Sequence, residues 1–226
     1  VNATYLEPGG SEHMLSVGED AATQIILLSP LFEEANRMRK TLVDILHGLG
    51  ALGFGVVLPD MPGMGESVKP IVDSMFQDWQ AAVRAVVDGR RARAQAVLIA
   101  SFRGGALLDA AAPTDGVWRL AEETGARLLR DLSRSILARG QRNRAGNDFD
   151  LAGYALPPLF VDDLEKALPQ PLTKSRSVRL HQDTNEADAR IQGAPLWRRA
   201  EPGEDDVLTQ AIVNDIADWA RVCAQS

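Results

Sequence analysis

AQAVLIASFRGGALLDA, residues Ala94 to Ala110, decides how the rest of the chain is read. Ala96 to Ala100 is a short, apolar, β-favouring run, as expected of a central parallel strand covered on both faces. Gly104 and Gly105 follow at once, and Ala106, Leu107 and Leu108 open a predicted helix. A strand turning sharply into a helix through small residues is the elbow on which some enzymes present a nucleophile. The residue at the tip is strained, so the positions two before and two after it must be small for strand and helix to approach. Around Arg103 these are Ser101 and Gly105, and around Phe102 they are Ala100 and Gly104, so either register works. Around Ser101, the only nearby hydroxyl, they are Ile99 and Arg103, which are too large. The elbow therefore carries Arg103 or Phe102 at its tip and lacks a nucleophile.

Working outward, strands and helices alternate. Ala3–Glu7 and His13–Val17 flank the turn signal Pro8-Gly9-Gly10-Ser11 and read as a hairpin. Gln24–Leu28 reads as a strand ended by Ser29-Pro30, and Glu33-Glu34 begin a helix at whose positive end acidic residues are favourable. Ala35, Met38, Leu42, Ile45, Leu46 and Leu49 recur at helical spacing until Gly53, and Phe54–Leu58 is the next buried strand. A helix around Phe76, Trp79, Val83 and Val86–Val87 leads into the elbow strand. Beyond the elbow come a strand at Gly116–Leu120 and a helix at Gly125–Ala138 with Leu128, Leu129, Leu132 and Ile136 inward. Arg139–Asp148 reads as a mobile polar loop, part of a cap-like segment over 139–168 that includes a short helix after Pro157-Pro158. Ser177–His181 and Ala194–Trp197 are the last expected strands, with a polar loop between, and Val207–Val222 is a closing amphipathic helix. The expectation is one α/β domain over residues 1–226: a mostly parallel sheet of about seven to eight strands, helices on both faces and a minimal cap.

Composition sets limits on function. The 226 residues suffice for one well-cored domain, and 45% hydrophobic with 24% charged residues is ordinary for a soluble globular protein. A net charge of −7 argues against a nucleic-acid surface, and the arginine clusters at 90, 91 and 93 and at 139, 142 and 144 read as solvated faces. Cys223 is alone, so no disulfide or thiolate metal framework forms within the chain. No apolar run reaches the length of a spanning helix, and no basic segment with an apolar core opens the chain, so a cytoplasmic protein is expected. Asp162-Asp163 and Asp205-Asp206 read as residues that precede or open helices, and neither a metal nor a cofactor is expected.

Three segments together carry a family resemblance: Ser29–Asn36 (SPLFEEAN), Asp60–Ser67 (DMPGMGES) and Ser101–Leu108 (SFRGGALL). Their spacing resembles the α/β-hydrolase superfamily, and the second is similar to its D-x-P-G-x-G-x-S loop. More narrowly, Pro30–Asn36 resembles the exosortase system-associated hydrolases. Gly153-Tyr154 followed by prolines, and Leu196-Trp197 leading into Glu201-Pro202, are similar to their type 2 branch. That branch typically has Arg where other hydrolases have the elbow serine, which favours Arg103 over Phe102. The resemblance implies a setting in exopolysaccharide and protein-sorting systems, and it does not by itself establish a reaction.

The fold's base is expected in the loop after the last strand, with its acid one or two strands earlier. That loop reads Arg198-Arg199-Ala200-Glu201-Pro202-Gly203-Glu204, and no His follows His181. His181 reads as a strand-end histidine and only secondarily as a displaced base; Asp183, Glu122 and Glu123 fall at acid-type positions. Nucleophile and base are missing separately. Serine-triad chemistry is therefore not expected, and Ser101, His181 and Asp183 are weak candidates. A binding site is expected at the elbow instead. The helix starting near Gly104 would offer free amides and a dipole, Leu31 and Phe32 a second donor loop, and Arg103 a charge for an anionic molecule or a protein partner. The competing reading ties Arg103 to an acid such as Asp60 or Asp183. An alternative function is a hydrolase or acyltransferase of esters with rearranged groups drawn from Ser29, Ser67, Ser101 or His181.

Overall fold

The computed structural model describes residues 2–7, 9–138, 149–151 and 153–225. β1 (Asn2–Glu7) and β2 (Gly10–Val17) form the N-terminal hairpin, and β2 continues antiparallel onto β4 (Gly55–Pro59). From there the sheet is parallel: β4, β3 (Thr23–Leu28), β5 (Ala96–Phe102), β6 (Gly116–Leu120), β9 (Ser175–Leu180) and β10 (Ala189–Ile191). The eight strands thus lie in the order β1-β2-β4-β3-β5-β6-β9-β10, with β5 central and buried along its whole length. A separate two-stranded ribbon joins β7 (Phe149–Leu151) to β8 (Tyr154–Leu156); neither strand was foreseen in the cap-like segment.

The apolar faces of the helices explain the layering. α1 (Glu33–Ala51) and α5 (Asp206–Ala224) cover one face of the sheet through Met38, Leu42, Leu49, Leu208, Ile212 and Ile216. α2 (Phe76–Arg91), α3 (Gly125–Ala138) and α4 (Pro158–Lys166) cover the other through Trp79, Val83, Leu128, Phe160 and Leu164. The Ile136 side chain and the loop at 139–148 lie outside the described residues.

Four expectations are corrected. The segment after β5 is a five-residue 3₁₀ turn, Arg103–Leu107, and no α-helix follows before β6. The glycine pair favours no helix there, and Asp109 is drawn sideways into the buried side chains of β5 and β6. The dipole argument at Gly104 falls with it. The final strand is Ala189–Ile191 rather than Ala194–Trp197, because Pro195 has no amide for a ladder and Leu196–Arg198 closes into a 3₁₀ turn. Asp162 and Asp163 lie inside α4 rather than ahead of it.

Candidate functional site

The steric argument for the elbow is met at one residue. Phe102 is an extended strand residue (φ −118°) packed against Trp118, so it is not the tip. Arg103 has φ 54°, a left-handed backbone that costs a non-glycine residue about 1–2 kcal/mol. A Cβ on Gly105 would come within 2.6 Å of the carbonyl oxygens of Leu28 and Ser29, so the end of β3 needs a glycine to pass. Two more non-glycine residues take positive φ at the same rim: Phe32 (59°) after β3 and Ala121 (48°) after β6. Strain is therefore clustered at the C-terminal ends of neighbouring strands, which makes this rim the candidate site.

Arg103 is tied down on every side. Its Nε and Nη2 donate to the two carboxylate oxygens of Glu34, each at 3.2 Å. Its Nη1 donates to the Ala121 carbonyl at 3.0 Å and to Glu123 at 3.4 Å. The guanidinium carbon also lies 5.2 Å from the ring centroid of Trp197. The expected pairing with an acid is therefore present, but Asp60 and Asp183 are not the partners. Asp60 is held in its own loop by Arg39 at 2.8 Å and His13 at 3.1 Å, and Asp183 by Arg179 at 3.0 Å. Glu34, read only as a first-turn helix residue, was the missed partner. Nothing in the local sequence signals the pairing, because an acidic residue in the first turn of α1 is already accounted for by the helix itself.

Burial pushes the Glu34 carboxyl above its ordinary value of 4.5, with the Arg103 guanidinium pulling the other way. Between 4.5 and that raised value the folded chain keeps a proton on Glu34 that the unfolded chain has lost. On this group's account stability is fullest below 4.5 and falls as pH rises through the raised value. Glu34→Gln removes that component, so urea melts across the window should show wild type losing stability relative to the variant as pH rises. A difference that stays flat with pH would sink the assignment.

The other candidates do not converge on the elbow. Ser101 is fully buried, and its hydroxyl donates to Asp109 at 2.8 Å. Ser67 donates to Glu12 at 3.0 Å and accepts from the Gly63 amide at 2.9 Å, inside the Asp60–Ser67 loop. His181 is exposed just past β9, its amide bonded to the Ile191 carbonyl. Ser29 lines a separate cavity of about 210 Å³ with Asn36, Arg39 and Asp60. Leu31 and Leu128 lie against Gly104, leaving no room even for a methyl group there. Phe32 packs on Trp79, Tyr154 and Phe160, so the second donor loop is capped by aromatic rings.

The strand order and the elbow together decide the architecture. The last two parallel strands, β9 and β10, are each followed by a loop that returns to the elbow, where an acid and a base would stand. The chain has the α/β-hydrolase fold. Solved structures agree over nearly its whole length: Est1E from Butyrivibrio proteoclasticus, with ferulic acid bound, has TM-score 0.65 and 16% identity, covering 97% of this chain and 100% of that one. Alpha/beta hydrolase domain-containing protein 10 from mouse has TM-score 0.64 and 14% identity, with 98% and 99% covered. A malate-bound thermophilic esterase from Thermogutta terrifontis has TM-score 0.62 and 11% identity, with 99% of both chains covered. No protein-family model matches the chain, and no curated protein matches it. Within this fold the acid-type loop supplies Asp183, paired with Arg179, and the base-type loop supplies Trp197, laid against the elbow arginine. Among the described residues no helix is long and apolar enough to cross a membrane, and no three His, Cys, Asp or Glu side chains cluster as metal ligands.

Proposed function

We propose that this chain is a non-hydrolysing protein of the α/β-hydrolase fold that binds an anionic small molecule or partner segment. Its motifs resemble the exosortase system-associated type 2 branch, so the proposal sets it in exopolysaccharide or protein-sorting processes, in the cytoplasm. The observation that carries the reading is the elbow tip. Arg103 stands where a nucleophile would, bonded to Glu34, Glu123 and the Ala121 carbonyl and stacked on Trp197. A guanidinium so engaged supplies no electron pair for attack. The alternative, a rearranged esterase or acyltransferase, needs a hydroxyl and a base at one point. Ser101 and Ser67 are instead hydrogen-bonded to Asp109 and Glu12.

The test is a screen of p-nitrophenyl esters of several chain lengths with fluorophosphonate labelling. No turnover above the uncatalysed rate and no label are expected. Arg103→Ser, which restores an elbow hydroxyl, is expected to stay inactive because no imidazole stands beside it to take the proton. Robust turnover with a defined labelled residue would overturn the reading.

A further inference from the structure

Beside the elbow, at the ends of β6 and β9, lies a cavity of about 330 Å³ whose wall includes four arginines and two carboxylates. The arginines are unequally compensated. Arg103 is bonded to Glu34, and Arg179 to Asp183 and Glu122, the latter pair at 3.0 and 3.3 Å. Among the described residues Arg127 has only a share of Glu123, 3.3 Å away, because that carboxylate also serves Arg103. The Arg198 guanidinium has no ion pair among the described residues, although it lines the same cavity. Unmatched positive charge therefore sits at Arg127 on α3 and at Arg198 in the loop after β10. Between the paired and unpaired arginines, Trp197 is 4% exposed, and its indole Nε1 is buried without an acceptor among the described residues. Trp197 lines the same cavity and lies beside the Arg103 guanidinium, so its indole reports on what enters there.

We propose that this cavity, and not the closed elbow, is the binding site. Its ligand is a small organic molecule bearing an anionic oxygen group, carboxylate or phosphate, held between Arg127 and Arg198 beside the Trp197 ring. The inference rests on the non-hydrolysing reading and says where that protein binds and through which groups.

Malate and inorganic phosphate are the probes, titrated at ionic strength fixed with chloride. The chain has four tryptophans, so its ¹H–¹⁵N spectrum offers few indole signals to follow, and Trp197→Phe identifies the relevant one while keeping an aromatic ring beside Arg103. That signal should move saturably with at least one probe. Movement with malate alone assigns a carboxylate, and with phosphate alone a phosphate. Arg127→Ala and Arg198→Ala, both at exposed side chains, should each weaken binding by about tenfold or more. No saturable movement with either probe, or wild-type affinity in both arginine variants, overturns the site. Ester turnover by the wild type would instead overturn the non-hydrolysing reading and leave the titration result standing, so the two failures are distinguishable.

Discussion

Arg119→Met is expected to lower the stability of the folded chain by about 3–5 kcal/mol, because it leaves the Asp109 carboxylate buried without its counter-charge. Asp109 is wholly enclosed under the sheet. Arg119 grips it through Nε and Nη2, both at 2.8 Å, and the Ser101 hydroxyl adds a third bond at 2.8 Å. Burial still holds the Asp109 carboxyl above its ordinary value of 3.8, the arginine and the serine pulling it down. Removing the arginine removes the larger part of that restraint and raises the carboxyl further. In the variant, then, Asp109 takes up a proton at higher pH than in the wild type. The deficit relative to wild type should shrink as pH falls, since a protonated carboxyl is far less costly to bury. Urea melts of both proteins at neutral and mildly acid pH measure this. A deficit that is small, or equal at both pH values, would show that the pair is not the anchor described. The double variant Arg119→Met/Asp109→Leu, apolar at both places, should recover much of the loss.

That buried network also shows what the sequence can and cannot disclose. Strand and helix positions were legible because they depend on local pattern: the all-apolar Ala96–Ala100 run marks a covered central strand, and the Ala35–Leu49 spacing marks one helix face. The elbow register was legible for a related reason. Small residues at Ser101 and Gly105 are a steric demand of the backbone, and Arg103 indeed takes the left-handed φ. Pairings across the fold were not legible. Asp109 and Arg119 belong to neighbouring segments, and nothing in either stretch says that both turn inward. Glu34 and Arg103 are 69 positions apart, and an acidic first helical turn is explained well enough by the helix itself. The elbow helix failed for a different reason. Its apolar residues fitted a helix, but Gly104-Gly105 and the inward pull on Asp109 outweighed them. Trp197 reads in the sequence as a strand end and as part of a motif, because its meaning lies in what it covers, which no local pattern carries.

Arg103→Ala should lose about 3–5 kcal/mol for the same class of reason, but here a second effect can be separated from it. The side chain of Arg103 is 6% exposed, and those of Glu34 and Glu123 are 15% and 10%. Alanine deletes the paired bonds to Glu34, the bond to Ala121 and the stacking on Trp197 at once. Glu123 keeps Arg127, so the burden falls mainly on Glu34. Alanine also keeps the left-handed backbone strain, whereas glycine adopts φ near 54° without it. Arg103→Gly should therefore lose the same interactions yet be more stable than Arg103→Ala by about 1 kcal/mol. Arg103→Lys retains the charge but cannot present two parallel donors to Glu34, and should fall between alanine and wild type. The expected order of urea midpoints is wild type, then lysine and glycine close together, then alanine. An alanine variant as stable as wild type would mean that the elbow arginine is not restrained by Glu34. An alanine variant more stable than the glycine one would mean that the elbow strain is not borne at this residue.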